Sequence, residues 1–480
     1  MQGIFLNIDI NTVVFPFLKR LAAQKGLRRE DFFPFVDQYK DTQVTDIAFN
    51  VFCQISMTPS AAWSDALASY DRREENGKAV DYRDILGQHA RLYRELGFDP
   101  YEIWFSRCRQ VGISPWLSIR MNDCHCPDED AVWIRGREFY EADRRGEKIG
   151  AAYGYYRHCY NYAVPQVRKR MLAYIEEQLF RYDVDGLELD FSREWFCFDG
   201  QDNPTYTQIM TDFVGKVRLL TDRAAAKWGH GVYVLIRLMR DIAQNKTLGF
   251  DAEAMVKGHL VDIISVSSRW ASNDSDMPIS SWKTHFPDTP IYAGITDLTN
   301  LKPTTYETTA GLAAAYLADG ADKVYLYNYF NDPLFPSPVF FKAQRTCGDL
   351  ETLEGEGRRI PVLYQDVAPF GQTGYHPLPA SAKDFSLSVL TGPLFLGEAA
   401  TVTVGFDREI EEGDAILFVN GTEAMLSEKA DTPPEAPEGK HYYTYKVAAD
   451  ALGETRQTLA VKARDGGLTL CYAEFFFQST

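Results

Sequence analysis

In the stretch YDVDGLELDFSREW (Tyr182–Trp195), Leu187 and Leu189 alternate with Glu188 and Asp190. That is the period of a β-strand with hydrocarbon on one face and carboxylates on the other. Upstream, Val164 to Phe180 carries apolar residues every three or four positions with Pro165 at the first turn, which predicts a helix feeding the strand. A strand between an apolar and an acidic environment suits a β/α barrel, whose strand ends and following loops carry the chemistry. Asp190, Arg193 and Glu194 fall at that rim.

Seven further stretches have strand character. Gly3–Asn11 puts Asn7, Asp9 and Asn11 in one phase and Ile4, Leu6 and Ile8 in the other. Val44–Phe52 ends near Asn50. Ser114–Asn122 places Ser118, Arg120 and Asn122 in the polar phase and delivers Asp123 and His125 just beyond. Val232–Leu238 ends near Arg237 and Arg240, and Asp262–Ser268, Pro290–Thr296 and Lys323–Tyr329 complete the series. Helical patterns lie between strands at Tyr82–Gly97, Pro100–Val111 and Tyr206–Arg223. Because the count closes at eight, residues 1–345 are expected to form an α/β (β/α)8 TIM barrel rather than a doubly wound sheet. The Tyr- and Arg-rich connection from His125 to Val164, including YGYYRHCYNY, is longer than ordinary barrel loops and predicts a lid or substrate wall.

Residues 346–384 lose periodicity and gain Gly, Pro and charge, as a linker does. Residues 385–480 hold short β-rich runs at Phe385–Val389, Ala400–Val404, Ala415–Val419, His441–Val447, Gln457–Ala463 and Leu468–Phe477, interrupted by a loop with Pro433, Pro434 and Pro437. This predicts an all-β sandwich, read as a structural or homodimer-forming module rather than a carbohydrate-binding one.

A net charge of -17 argues against nucleic acid as a partner. No apolar run reaches the ~18 residues of a membrane span. The segment GIFLNIDI enters a strand without a basic region or cleavage site, so a cytoplasmic chain is the default expectation, and a periplasmic or secreted one follows only if a leader was removed. The eight cysteines are dispersed and read as free thiols. Cys124, His125 and Cys126 lack the spacer of zinc knuckles, so no structural metal is expected.

Asp9, Asn11, Asn50, Arg120, Asn122, His125, Glu188, Asp190 and Arg193 converge on strand exits, which points to an enzyme; the plain alternative is an inert polar barrel interior. Carboxyl or carboxyl-plus-imidazole pairs suit glycoside hydrolysis, one group protonating the leaving oxygen while another activates water. Several versions of that chemistry fail on the residues. DGLELDF is similar to the strand-four signature of chitinases, but Ser192 stands where their catalytic glutamate belongs. PIYAGIT lacks the glutamate of paired-glutamate barrels, strand one lacks the H-x-H of metal-dependent amidohydrolases, and the Asp boxes of propeller sialidases are missing.

The remaining residues, NIDIN, IRMNDCH and LDFSREW, resemble those of the inverting exo-sialidases of glycoside hydrolase family 156, which have a β/α barrel followed by a β-sandwich. The resemblance implies that Asp9 and His125 form the catalytic pair. It implies that Arg120, five residues before His125, and Arg193 hold the carboxylate of sialic acid, and that Asn331 or Asn328 contacts the ligand. Asn50 and Asp190 are added as substrate-binding candidates. The implied reaction releases terminal sialic acid from sialylated glycans with inversion, without metal or cofactor. A guanidinium holds a carboxylate bidentately, and a neutral imidazole deprotonates water without adding negative charge beside that carboxylate. His125 is therefore taken as the base, with Asp9 as the acid or as the group that orients the imidazole. The competing readings are a backbone-bonded loop histidine for His125, a loop cap for Asp9, and burial of Arg120 and Arg193 as partners of Glu188 and Asp190. Glu188 is read as structural or as a support behind the residues that touch the ligand. A second enzyme reading is hydrolysis of another glycan through Asp190 and Glu194, and a third is a glycan-binding barrel without catalysis.

Overall fold

The computed structural model describes residues 2–9, 14–67, 89–124, 132–270, 272–299, 302–331, 333, 337–362, 377–411, 413–464 and 466–479. Eight parallel strands close into a barrel: β1 (Ile4–Ile8), β2 (Val44–Phe52), β3 (Ser114–Arg120), β4 (Gly186–Asp190), β5 (Tyr233–Leu238), β6 (Ile263–Val266), β7 (Ile291–Thr296) and β8 (Lys323–Tyr327), with β8 returning beside β1. Each expected strand is present, most of them shorter than the pattern suggested. β1 stops at Ile8 rather than Asn11, and β3 at Arg120 rather than Asn122. β8 stops at Tyr327 rather than Tyr329 because Asn328 turns left-handed, with φ 66°, a conformation that no strand continues. β2 keeps its expected length but bulges at its end, where Asn50 Oδ1 accepts a hydrogen bond from Phe52 N at 3.1 Å.

Helices lie between the strands. α1 (Pro100–Gln110) and α2 (Pro165–Arg181) begin with proline, as expected. α3 (Pro204–Trp228) outruns the expected Tyr206–Arg223, since Asn203 caps its start and Gly229, at φ 81°, ends it. α4 (Tyr306–Ala318) connects β7 to β8 and is buried on almost every side. The long connection before α2 is not bare loop: it contains a helix over Val132–Arg144 and a 3-10 segment over Ala151–His158.

The chain forms two compact units, residues 5–265 with 328–337, and residues 1–4 with 266–327 and 338–480. In the first, Gly186 lets the backbone of β4 lie under the Trp116 ring: a Cβ there would come within 2.1 Å of it. Hydrogen bonds from the indole to Asp46 at 3.2 Å and Ser114 at 3.0 Å hold the ring in place. Gly186→Ala is therefore expected to lower stability by about 1–3 kcal/mol through overpacking, read from the midpoint of urea unfolding.

The second unit contains the sandwich. One sheet orders β9 (Arg358–Pro361), β16 (Thr469–Ser479), β11 (Glu398–Phe406), β14 (His441–Lys446) and β13 (Met425–Ala430); the other pairs β10 (Phe385–Leu390), β15 (Arg456–Ala463) and β12 (Ala415–Val419), all antiparallel. Val402, Val404, Leu417, Val461, Phe475 and Phe477 fill the space between them. β9 corrects the expectation of a linker over 346–384. RRIP reads as loop because of its charges, yet Arg358 is buried in an ion pair with Glu398 at 2.6 Å and bonds the Pro393 carbonyl at 2.8 Å. Residues 363–376 of that stretch lie outside the described residues. β13 escaped the pattern because most of its side chains face solvent and none of its alternation is apolar.

α4 belongs to this unit too. A Cβ on Gly311 would meet the Arg359 carbonyl oxygen at 2.3 Å, so α4 and β9 touch through backbone. The proline-rich loop closes over the start of α4: Glu435, fully buried, accepts from Thr305 N and Thr308 Oγ1, both at 2.9 Å. A carboxylate there satisfies otherwise unpaired N–H groups and complements the helix dipole.

Candidate active site

The register of the parallel strands builds the site. Arg120 on β3 pairs with Asp190 on β4, and Asp190 with Arg237 on β5, so a cation, an anion and a cation lie side by side at the C-terminal ends. One layer below, Ser118 is level with Glu188, and both accept from the Asn7 amide on β1, at 3.0 and 2.6 Å. This lower layer supports the one above it, with the Asn7 amide nitrogen bridging Ser118 and Glu188.

Above it runs a continuous ion-pair chain. Arg120 Nη2 meets Asp9 Oδ2 at 3.0 Å and its Nη1 meets Asp123 Oδ2 at 3.1 Å. Asp123 Oδ1 lies 4.0 Å from Arg193 Nη2, Arg193 Nη1 bonds Glu194 Oε1 at 3.0 Å, and the same oxygen accepts from the Tyr155 hydroxyl at 2.9 Å. Asp190 Oδ1 accepts from Ser192 N at 3.0 Å, Arg193 N at 2.9 Å and Arg237 Nη1 at 3.0 Å. Burying three guanidinium groups is tolerable only with such pairing. Exposure separates the carboxylates: Asp9 keeps 13% of its side-chain surface, whereas Asp123, Asp190 and Glu194 keep 0%.

The structure thus brings Asp9, Arg120, Arg193 and Asp190 into one network. The guanidinium of Arg120 goes to Asp9 and Asp123 and that of Arg193 to Glu194 and Asp123, while Glu188 accepts from Asn7. Asn328 hydrogen-bonds the Asn7 carbonyl through its backbone N–H, at 3.2 Å. Asn331 accepts from Ser337 N on its side-chain oxygen and from Gln38 on its carbonyl, a loop-holding arrangement. Asn122 ties three segments together, donating to the Phe196 carbonyl at 2.9 Å and accepting from Tyr160 N at 2.8 Å. His125 and Asn11 lie outside the described residues.

Several buried polar atoms at this end have no hydrogen-bond partner among the described residues. They are Asn7 Oδ1 and Asp9 Oδ1 after β1, Asn50 Nδ2 and Gln54 Oε1 after β2, Asp190 Oδ2, Ser192 Oγ and Trp195 Nε1 after β4, and Asn328 Oδ1 after β8. Buried polar atoms are normally satisfied, so a cluster of exceptions marks a place where water or ligand belongs. Acceptors dominate the set, which suits a ligand rich in hydroxyl donors. Gln54 and Trp195 had no sequence signal as site residues. Burial pushes the thiols of Cys159 and Cys197 up, so neither offers a thiolate nucleophile at neutral pH. Among the described residues no group of three or more His, Cys, Asp or Glu side chains is placed to hold a metal ion, and no helix is long and apolar enough to cross a membrane.

No protein-family model and no curated protein matches the chain. Solved structures similar to it include a glycoside hydrolase domain, an α-L-fucosidase and a glucanotransferase. The glycoside hydrolase domain of PgaB from Bordetella bronchiseptica is 11% identical over 73% of this chain and 99% of its own, with a TM-score of 0.47. α-L-fucosidase isoenzyme 2 from Paenibacillus thiaminolyticus is 14% identical over 71% of this chain, with a TM-score of 0.43. A cycloisomaltooligosaccharide glucanotransferase from Paenibacillus sp. is 9% identical over 98% of this chain, with a TM-score of 0.36. The match spans 57% of the glucanotransferase and 48% of the fucosidase.

Proposed function

We propose that this chain is a glycoside hydrolase that removes terminal sialic acid from sialylated glycans, an exo-α-sialidase acting by single displacement with inversion. The observation that carries the reading is the Asp9–Arg120 pair: a partly exposed carboxylate at the rim, 3.0 Å from a guanidinium that a second carboxylate, Asp123, links to Arg193. A sialoside bears its carboxylate on the anomeric carbon, so the group that must be neutralised lies next to the bond that breaks. Arg120 and Arg193 supply that neutralisation, and Asp9 stands beside them as the carboxyl group in reach of the leaving oxygen. The acceptors around it that have no partner among the described residues accept hydrogen bonds from hydroxyls of the sugar. His125, two residues past Asp123, is the member of the catalytic pair taken as base, because a neutral imidazole removes a proton from the water that attacks the anomeric carbon without adding negative charge beside the carboxylate.

The test is proton NMR of an α-sialoside mixed with the protein, recorded before mutarotation. The β-anomer of free sialic acid is expected first. The α-anomer first would mean a covalent intermediate and remove inversion, and no release would remove the sialidase reading. Asp190, with one oxygen unpartnered among the described residues, favours a second reading, in which Asp190 and Glu194 hydrolyse another glycan. Sugar release from asialo-glycans by the same protein would select it.

A further inference from the structure

The outer wall of the barrel carries a groove of about 650 Å³ between α2 and α3, sharing no lining residue with the rim. Leu172 and Leu219 form its apolar floor, and Leu219 is 62% exposed. Arg168, Lys169, Lys216 and Arg223 edge it against one carboxylate, Glu176. Glu176 is engaged by Arg223 at 2.8 Å, and Arg168 donates to the Tyr162 carbonyl. Lys169 and Lys216 have no ion-pair partner among the described residues. Asp212, lining a small adjoining pocket with Arg168 and Lys216, bounds the positive strip.

We propose that this groove docks an acidic amphipathic helix of a partner protein. The lining positions recur at three- and four-residue intervals, Pro165, Lys169, Leu172 and Glu176 on one wall, Lys216, Leu219 and Arg223 on the other. The channel therefore follows α2 for about three turns, some 16 Å, and α3 for about two turns, some 10 Å, a ridge length that a third helix can lay into it. Cations stand along that length on both sides of the leucines. They match a helix with an apolar stripe flanked by carboxylates, whereas a single-headed amphiphile would engage only one of them. The chain carries a net charge of -17, so an acidic partner is repelled by the protein as a whole and attracted at this strip, which gives the encounter its orientation.

The probe is a synthetic peptide of about 16 residues, fluorescein-labelled, with leucines at helical spacing flanked by glutamates, titrated with the full chain in fluorescence anisotropy. Saturable binding with a Kd of about 1–50 μM is expected, weakening as salt rises from about 50 to about 300 mM. The double variant Lys169→Glu/Lys216→Glu is expected to bind about tenfold more weakly or worse, with an unchanged circular dichroism spectrum because both lysines are exposed. A scrambled peptide of identical composition, lacking the stripe, should also lose about tenfold. No binding, equal binding of the scrambled peptide, indifference to the charge reversal, or displacement of the peptide by dodecanoate alone would each overturn the proposal.

Discussion

Replacing Asp190 with alanine is expected to lower the free energy of unfolding by about 3–5 kcal/mol and to remove turnover with it. One oxygen of this carboxylate holds two backbone N–H groups of the turn after β4 and the guanidinium of Arg237. Deleting it leaves the buried Ser192 and Arg193 amides without that acceptor, each costing about 1–3 kcal/mol. Arg237 also loses a carboxylate at a fully buried position. Asp190→Asn keeps the shape and one acceptor oxygen and should lose about half as much. Urea unfolding followed by tryptophan fluorescence measures both variants. A loss below about 1 kcal/mol for the alanine variant would show that the turn is held by its other contacts and that the Asp190 carboxylate is free for chemistry.

Replacing Arg120 with alanine should reduce kcat/KM on α-sialosides by about 10²–10³-fold, some 3–4 kcal/mol of transition-state stabilisation. Arg120 is buried, and its partners Asp9 and Asp123 are both carboxylates. Removing the cation thus takes away the anion site and also places two negative groups beside the arriving carboxylate. The effect is separable from general damage by a carboxylate-esterified sialoside. The wild type should discriminate strongly against the ester, and Arg120→Ala should discriminate little, the signature of a lost pairwise interaction. Asp9→Ala should lower kcat with little change in KM, as expected for a group acting in the transition state alone. If Arg120→Ala keeps activity within about threefold, or both enzymes treat acid and ester alike, the anion-binding role is wrong and a neutral glycan becomes the better substrate.

The barrel was legible because each strand announces its own polar phase, and parallel strands bring their exits to one rim whatever their order. Asp9, Arg120, Asp190 and Arg193 could therefore be gathered from the sequence without coordinates. Which acid meets which base was not legible, because that depends on register and on turns. Arg120, Asp190 and Arg237 become a row only through the alignment of three strands. Asp123 becomes the bridge between two arginines only through the turn after β3. Buried, unsatisfied atoms such as those of Gln54 and Trp195 carry no mark in composition, since partners are a property of space. In the sandwich, strands β9 and β13 were missed because one is short and charged and the other exposed along its length, so alternation had nothing to report.

α4 bears on how such a protein can be divided. A barrel helix ordinarily shows one face to water, and this one has its second face covered by β9 and its first turn capped by Glu435. A gene cut between barrel and sandwich would bare a nearly all-apolar helix and expose the hydrocarbon of Leu312, Tyr316 and their neighbours to other chains. The barrel is therefore not portable, and shuffling or truncation has to carry both domains together, with permissive junctions sought on the barrel's other loops.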